Sequence, residues 1–322
     1  MTAGRDVLAG TAEAVWSVIR SGGARPPLPG AGATAARWEW LTGRCRRNLS
    51  VGRLLEAHAD ADAILAEIDG VRAGPGEFWG VWASEPPQPV LTARETADGW
   101  RLDGTKAWCS GAAMCTDALV TARVDGESRL FAVNLHHPGV APGFGGWHSP
   151  GMAATGTESV TFVDVPTRAV GIAGSYLNRA GFWHGGIGVA ACWFGGVLAV
   201  SEPLRVRARD GRADGHQLAH LGAIDVAISA VRWSLAQAAA EVDAAPADCR
   251  AATLRAFRVR ALVERTATEV IDRVGRALGA APLATDAAHA GTVADLFVYI
   301  RQSHAERDLE TLGRLAAQEE QG

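Results

Sequence analysis

The spacing of apolar side chains changes twice along this sequence, and that change limits the folds the chain can adopt. Residues 1–70 are rich in alanine and place apolar side chains at helical spacing, whereas residues 76–173 switch to short stretches of alternating character. Residues 174–322 return to long helical stretches rich in alanine, leucine and arginine. Helices, then strands, then helices predict an α+β chain in which the strands form a unit of their own.

Two stretches define the first region. In residues 53–68 the apolar side chains recur at three- and four-residue steps, which predicts an amphipathic helix. The stretch SGGARPPLPGAGA at 21–33 is rich in proline and glycine and predicts a loop. We therefore predict a helical N-terminal domain over residues 1–75.

The middle region contains short strand candidates separated by turn-forming sequences. The candidates are FWGVWAS, VLTARET, GWRLDG, ALVTARV, SRLFAVNL and SVTFVDVP. About seven strands in roughly 100 residues predict a small antiparallel barrel or sandwich over residues 76–173. Within RLDGTKAWCSGA at 101–112, Asp103-Gly104 predicts a hairpin turn that is followed closely by Trp108 and Ser110.

The last region predicts a helical bundle. Its periodic stretches predict helices over 181–209, 216–243, 248–278, 289–302 and 303–318. Consecutive helices of this length favour antiparallel packing, so we predict a bundle domain over residues 174–322.

Charge and cysteine content exclude several classes of function. The net charge of −4 and the pI of about 6.1 argue against a nucleic-acid-binding face. The five cysteines form no CxxC pair, so we expect thiols in a reducing compartment and no metal site. The first residues lack a basic segment followed by an apolar one, and no run of 18 apolar residues is free of polar breaks. We expect a cytoplasmic protein with no membrane partner.

Five segments in order resemble the acyl-CoA dehydrogenase superfamily of flavoproteins. They are WASEPP (82–87), GWRLDGTKAWCSGA (99–112), GMAATGTESVTFVDVPT (151–167), GHQLAHLGAIDVAI (215–228), and ALGAAPL with YIRQSHAERDLETLG (277–313). The resemblance extends from about residue 53 to the C-terminus. It implies a helical N-terminal domain, a middle β-barrel and a C-terminal four-helix bundle.

The resemblance also implies FAD as cofactor and three residues that line it. Ser84 matches a Thr/Ser that contacts the pyrimidine edge of the flavin. Trp108 matches an indole packed against the flavin, and Ser110 matches a hydroxyl near flavin N5. Such donors would tune the hydride acceptor while the cofactor performs the difficult step. The alternative is that Trp108 and Ser110 are ordinary core and turn residues.

Two residues of the bundle are candidates for ligand contacts. Arg207, between Arg205 and Arg209, stands where the family has an Arg-x-x-Phe-Gly clamp for the FAD pyrophosphate, here without the phenylalanine. His184 lies among tryptophans and glycines in the first bundle helix and is a candidate substrate contact. The alternatives are a solvated arginine and a packed core helix.

The candidate catalytic base is Glu310. Counting from Arg301 in the family register reaches this residue, which would remove the α-proton of an acyl thioester while flavin N5 accepts the β-hydride. The family has a Tyr-Glu-Gly-Thr loop there, whereas this sequence reads as continuous helix. The alternative is a glutamate in a surface ion pair.

Three functions remain open at this stage. The first is FAD-dependent α,β-dehydrogenation of an acyl thioester, with acyl-CoA as the implied substrate. The absence of the family's Gly-x-Gly-Ser-Asp substrate loop from EPPQPVLTA weakens this first function. The second is a flavin-dependent monooxygenase or oxidase of the same fold, which Trp-x-Ser-Gly in place of Trp-x-Thr-Asn favours. The third is a non-catalytic member that acts as a partner subunit. The resemblance further implies a homodimer or homotetramer, because cofactor sites of this family span subunits.

Overall fold

The computed structural model describes residues 2–319, and backbone proximity divides the chain into two compact units. Unit 1 combines the chain up to Pro26 with Arg53–His148 and Ala153–Phe182. Unit 2 combines Pro27–Gly52, Ser149–Met152 and the chain from Trp183 onward. The N-terminal region is thus shared between the two units, and the three-domain division made from sequence stays a prediction.

The N-terminal region forms helices α1 (Thr2–Arg20), α2 (Thr34–Arg47) and α3 (Leu49–Asp69). Helix α3 contains the amphipathic helix predicted over 53–68, and the predicted loop at 21–33 separates α1 from α2. In unit 1 the apolar side of α3 packs Ile64 and Leu65 against Leu119 and Leu130. Burying an aliphatic side chain contributes about 1.5–3 kcal/mol, so this face holds α3 on the sheet of unit 1.

Within the described residues, unit 1 holds one seven-stranded sheet. Its strands are β1 (Trp79–Trp82), β2 (Leu91–Thr96), β3 (Gly99–Cys109), β4 (Asp117–Val124), β5 (Glu127–Asn134), β6 (Val140–Pro142) and β7 (Glu158–Ala169). The order β4-β2-β3-β7-β5 closes into a barrel because β5 pairs again with β4. Most pairs are antiparallel as predicted, but β1 and β2 run parallel to β4. The α+β class with a middle β-barrel is confirmed.

Alternate side chains of these strands fill the barrel. Leu102, Phe131 and Phe162 are fully buried in one apolar cluster. Trp100 packs on Phe131 with ring centroids 5.3 Å apart, while the guanidinium of Arg129 lies over the Trp100 ring. The period-two pattern in the sequence therefore reports the inside and outside of the barrel wall.

The hairpin turn predicted at Asp103-Gly104 is wrong. Both residues lie inside β3, where the register against β7 shifts between Leu102 and Gly104. Gly104 has a φ of 116°, and a Cβ there would lie 2.4 Å from the Val90 carbonyl oxygen. The glycine thus serves a β-bulge, which needs the same backbone freedom as a tight turn. The hairpin between β2 and β3 turns instead at Ala97 and Asp98.

Polar groups anchor α3 to the segment that leads into β1. The Asp62 carboxylate accepts from Arg72 Nε at 2.9 Å and from the Ala73 backbone N–H at 2.9 Å. His58 is 3% exposed, and its Nδ1 accepts from the Trp79 backbone N–H at 3.3 Å. The imidazole must be neutral to accept, and burial lowers the pKa of His58 to about 4.

The described part of unit 2 is helical. Its helices are α4 (Ala180–Arg209), α5 (Gly215–Ala244), α6 (Cys249–Leu278), α7 (Ala281–Thr285), α8 (Ala287–Tyr299) and α9 (Glu306–Glu319). These match the predicted helices except that α7 was not predicted and α9 begins three residues later than the predicted helix 303–318. A 3₁₀ turn over Ile300–Gln302 ends α8. Aspartates cap the N-termini of α5, α6 and α8, which explains where these helices begin.

Helices α4 and α5 differ in how much of their apolar surface is covered. Both are long and apolar enough to cross a membrane by length and composition alone, with windows of mean hydropathy 1.5 and 1.2. In α4, 78% of that window is buried, and a Cβ on Gly195 would lie 2.4 Å from the Thr42 carbonyl oxygen of α2. In α5 only 22% is buried. Helix α4 is therefore a core helix of unit 2, whereas α5 presents apolar surface.

Because His58 is buried and neutral, the protein should lose stability in acid. Between pH 4 and 6.5 the unfolded chain binds a proton that the folded chain does not bind, so stability must fall as the pH falls through this window. The H58N variant keeps an acceptor for Trp79 and does not titrate. From pH 6.5 to 4, the wild type should lose about 3 kcal/mol more free energy of unfolding than H58N, measured by urea denaturation. Equal losses in the two proteins would contradict a buried neutral His58.

Candidate functional site

The end of β3 presents an exposed tryptophan in an unusual backbone conformation. Trp108 has a φ of 60° and is 58% exposed. A positive φ is an outlier for a bulky side chain and costs about 1–3 kcal/mol. The register of β3 against β7 shifts between Lys106 and Cys109, which places Trp108 in a β-bulge. The bulge turns the indole out of the barrel while Cys109 stays buried.

A loop brings a second indole to the same rim. Trp147 meets Trp108 edge to face, with ring centroids 6.1 Å apart and an interplanar angle of 86°. The loop is tied to β7 because the Glu158 carboxylate accepts from the backbone N–H groups of Gly145 at 3.0 Å and Gly146 at 3.1 Å. The two indoles therefore form an apolar pair at this rim, with Trp108 largely exposed.

Ser110 stands beside this surface with its backbone held in place. Its carbonyl oxygen accepts from Trp82 Nε1 at 3.0 Å, and the next residue, Gly111, donates its N–H to the Thr155 carbonyl oxygen at 2.8 Å. The half-buried Ser110 hydroxyl lies 3.0 Å from Thr157 Oγ1. Trp108 and Ser110, predicted as neighbours in one site, are thus on one rim of unit 1.

Ser84 lies in the exposed loop that follows β1. The neighbouring Glu85 fixes this loop, because it accepts from the Ser128 hydroxyl and pairs with Arg123 at 2.7 Å. Partial burial opposes ionisation of Glu85, but hydrogen bonds from Ser128 and Thr121 still lower its pKa. Trp82, two residues before Ser84, is the donor to Ser110, so β1 links the two predicted serines.

The only lysine of the sequence is buried beneath this region. Lys106 Nζ donates to the Thr121 carbonyl oxygen at 2.6 Å and to Thr121 Oγ1 at 2.8 Å. Burial lowers the pKa of Lys106 to about 8, although the charge of Glu85 opposes that shift. The ammonium group thus pins β3 to β4 directly before the bulge that carries Trp108.

The predicted arginine clamp is engaged in other contacts of unit 2. Arg207 Nε donates to Gln217 Oε1 at 2.8 Å, and Gln217 also completes the capping box of α5. Arg209 pairs with Glu202 at 2.7 Å, and Arg205 lies 3.5 Å from Asp225. A pyrophosphate at these arginines would have to compete with carboxylates and an amide that already contact them.

His184 is buried inside unit 2, at 2% exposure. Its Nε2 lies 3.0 Å from the Pro246 carbonyl oxygen, which can only accept, so Nε2 carries the proton. His184 and Arg207 lie near opposite ends of α4, roughly 35 Å apart at 1.5 Å per residue. The structure does not bring these two candidates together, and a substrate contact at His184 stays a prediction.

Glu310 lies on the surface of α9. Its side chain is 53% exposed and forms an ion pair with Arg314 one helical turn later. The stretch is helical, as the sequence indicated, and no Tyr-Glu-Gly-Thr loop interrupts it. Six residues before Glu310, just ahead of α9, His304 Nδ1 lies 3.2 Å from Asp308 Oδ1. The role of Glu310 as a base stays a prediction.

Sequence reasoning missed three residues of the rim. Trp147, Thr155 and Thr157 lie between β6 and β7. In that segment the sequence offered only glycines, prolines and the resemblance to the family as signals. Their signal was a tryptophan in a glycine-rich loop and two threonines directly before a strand. Within residues 2–319, no group of three or more His, Cys, Asp and Glu side chains is arranged to hold a metal ion.

No protein-family model and no curated protein matches the sequence. Solved structures do match. TdsC, the dibenzothiophene monooxygenase from Paenibacillus sp. A11-2, in complex with FMN and indole, has a TM-score of 0.74 and 19% identity over 97% of this chain and 96% of its own. Butyryl-CoA dehydrogenase from Megasphaera elsdenii has a TM-score of 0.76 and 17% identity over 87% of this chain and 81% of its own. KijD3 in complex with FMN has a TM-score of 0.74 and 20% identity over 98% of this chain and 94% of its own.

The contribution of the buried Lys106 to the free energy of unfolding should change with pH in the alkaline range. Between pH 8 and 10.5 the unfolded chain holds a proton that folded Lys106 has released, so the lysine's contribution to stability rises with pH in this window. Relative to the K106M variant, the wild type should gain about 3 kcal/mol of unfolding free energy across it. Urea denaturation of both proteins at the two pH values measures the difference. Parallel curves would contradict a buried, desolvated ammonium.

Proposed function

Because this chain has the acyl-CoA dehydrogenase fold, we propose that it is a flavin-dependent oxidoreductase. The observation that carries the proposal is the rim of unit 1, where a bulge holds Trp108 outward in a strained conformation beside the Ser110 hydroxyl. Strain of this kind persists where the surrounding structure enforces it, and it is concentrated at ligand sites. An exposed indole that served only packing would have no need of it.

The residues of this rim fit a flavin. The Trp108 face offers an apolar surface to a planar ring, and Ser110 offers a hydroxyl to a ring nitrogen or carbonyl oxygen. Ser84 lies on the loop that follows the strand bonded to Ser110 and would reach the polar edge of the ring. When bound, a flavin supplies two-electron transfer with the substrate. The chain's part is to hold the ring, exclude water from one face and donate hydrogen bonds.

Two forms of the cofactor fit this proposal. The resemblance favours FAD, whose pyrophosphate needs a cationic partner such as Arg207. The existing contacts of Arg207 with Gln217 and of Arg209 with Glu202 favour FMN, which has no pyrophosphate. The FMN complexes of TdsC and KijD3 support the second form. Titration with FAD and with FMN distinguishes the two.

For the reaction, the family register supports dehydrogenation of an acyl thioester. The α-proton would go to the Glu310 carboxylate and the β-hydride to the flavin, leaving an α,β-double bond in the product. A second candidate, a flavin-dependent monooxygenase or oxidase, is favoured by the Glu310–Arg314 ion pair and by the absence of the family's substrate loop after Glu85. This second reaction requires reduced flavin and oxygen but no carboxylate base.

Removing the indole should weaken flavin binding. We expect the W108A variant to bind its flavin about 10- to 100-fold more weakly than the wild type, because the ring loses its apolar support. The matched control is F144A, since Phe144 lies in the loop that carries Trp147 and is 91% exposed. Fluorescence titration with FAD and FMN measures both. A wild type that binds neither flavin would overturn the proposed function and leave the non-catalytic partner subunit as the explanation.

The two reactions predict different effects of replacing Glu310. If the chain dehydrogenates an acyl thioester, acyl-CoA added without oxygen should bleach the bound flavin. E310Q should then slow bleaching by about 100- to 10,000-fold, whereas E306Q on the same helix should not. If the chain is a monooxygenase or oxidase, reduced flavin should consume oxygen at the same rate in wild type and E310Q. Rapid mixing with absorbance and oxygen detection separates these outcomes.

We also propose that a second copy of the chain covers helix α5. Leu218, Val226 and Trp233 are 50%, 72% and 73% exposed and lie on one side of the helix. An antiparallel copy related by a two-fold axis would set Trp233 against Leu218, and the small Gly222 against Ser229. The stripe is thus complementary to itself, as a two-fold interface requires.

A charge on this stripe should disrupt the dimer. We expect W233D to elute as a monomer at concentrations where the wild type is a dimer, because a carboxylate would be buried without a partner. V163D is the control, since Val163 is 63% exposed on β7 of unit 1. Size-exclusion chromatography with light scattering gives the masses. A monomeric wild type, or a dimeric W233D, would contradict this interface.

A further inference from the structure

Three hydroxyl groups form a chain that runs from the interior of unit 1 to Ser110. Thr155 Oγ1 lies 2.8 Å from Thr157 Oγ1, and Thr157 Oγ1 lies 3.0 Å from Ser110 Oγ. Thr155 is 1% exposed and Thr157 is 7% exposed, whereas Ser110 is half-buried beside the exposed Trp108. This chain of hydrogen bonds therefore begins in the core of unit 1 and ends at the rim.

The proton count allows two directions for these hydrogen bonds, and in one of them the Ser110 proton points toward the rim. Each hydroxyl has one proton to donate and two lone pairs to accept. Thr157 takes part in both hydrogen bonds of the chain. When Thr157 gives its proton to Ser110 and accepts that of Thr155, the proton of Ser110 is left to point away from the chain, toward the rim. Neighbouring hydrogen bonds of this kind polarise one another, which makes the last hydroxyl a better donor.

We propose that Thr157, backed by Thr155, is a positioning residue that turns the Ser110 hydroxyl into a donor toward the ligand packed on Trp108. This inference rests on the proposed function, because it takes the ligand to be a flavin. A ring nitrogen that accepts a hydrogen bond in the oxidised ring is the partner that such a donor suits. Thr157 itself needs no contact with the flavin.

The backbone around Ser110 does not depend on the Thr157 side chain. Trp82 Nε1 holds the Ser110 carbonyl oxygen, and the Thr155 carbonyl oxygen holds the Gly111 N–H. Replacing Thr157 by valine therefore removes the hydroxyl that donates to Ser110 and leaves the two backbone hydrogen bonds in place. T157S keeps the hydroxyl and should preserve binding.

A double-mutant cycle on flavin binding tests the proposal. Fluorescence titration with oxidised FAD and FMN is run on wild type, T157V, S110A and the double variant. We expect T157V to weaken binding about 3- to 10-fold in the wild-type background. In the S110A background it should weaken binding by less than about twofold, because the hydroxyl on which it acts is gone. T157S should lie within about twofold of wild type.

The matched control is T161V. Thr161 lies on β7 four residues after Thr157, and its exposed hydroxyl pairs with that of Thr105 at 3.3 Å rather than with Ser110. T161V should leave flavin affinity unchanged. If T157V does not fold, T155V removes the same chain one step earlier and takes its place in the cycle.

The outcomes separate this inference from the proposed function. If wild type binds neither flavin, the proposed function fails and the inference falls with it. If wild type binds flavin but T157V binds equally well, only the inference is overturned. An equal loss from T157V in both backgrounds would also overturn it, because a general distortion of the rim does not depend on the Ser110 hydroxyl.

Discussion

The irregular pairing of β3 with β7 is the constraint on which the candidate site depends. Regular alternation continued from the buried Lys106 would send Trp108 into the barrel and Cys109 out of it, at ordinary dihedral angles. The bulge after Lys106 instead gives Trp108 a positive φ and buries Cys109. Two hydrogen bonds stabilise this strained backbone. The Lys106 ammonium donates to Thr121 before the bulge, and the Trp82 indole donates to the Ser110 carbonyl oxygen after it.

The rim collects side chains that are distant along the chain. Trp108 and Ser110 come from the end of β3, Trp147 from a loop near β7, and Thr157 from the residue before β7. Glu158 ties the loop to the strand. The backbone at Ser110 is held by hydrogen bonds from the Trp82 indole and to the Thr155 carbonyl oxygen, and the loop that carries Trp147 is held by the Glu158 carboxylate. Preorganisation of this kind is what a cofactor site requires.

Much of the architecture follows from the sequence, because the period of the apolar pattern reports which faces are buried. Helix α3 and the barrel strands are visible in this way, and so are the long helices of unit 2. At Asp103-Gly104 the sequence predicts a turn where the structure has a bulge. A tight turn and a bulge both need glycine with a positive φ, and they differ only in whether the strand continues. The partners of Ser110 were not visible, since Thr157 meets it only after β7 has folded against β3. Glu310 was reached by counting along one helix, and such a count does not report that Arg314 pairs with it.

A crystal structure of the protein grown with FAD or FMN would test the central claim most directly. The account predicts a flavin ring against the Trp108 indole, with the Ser110 hydroxyl within hydrogen-bond distance of a ring nitrogen or carbonyl oxygen. Density for a ring elsewhere in the molecule would contradict the account. A rim that stays empty at saturating flavin, with Trp108 still strained and exposed, would contradict it as well.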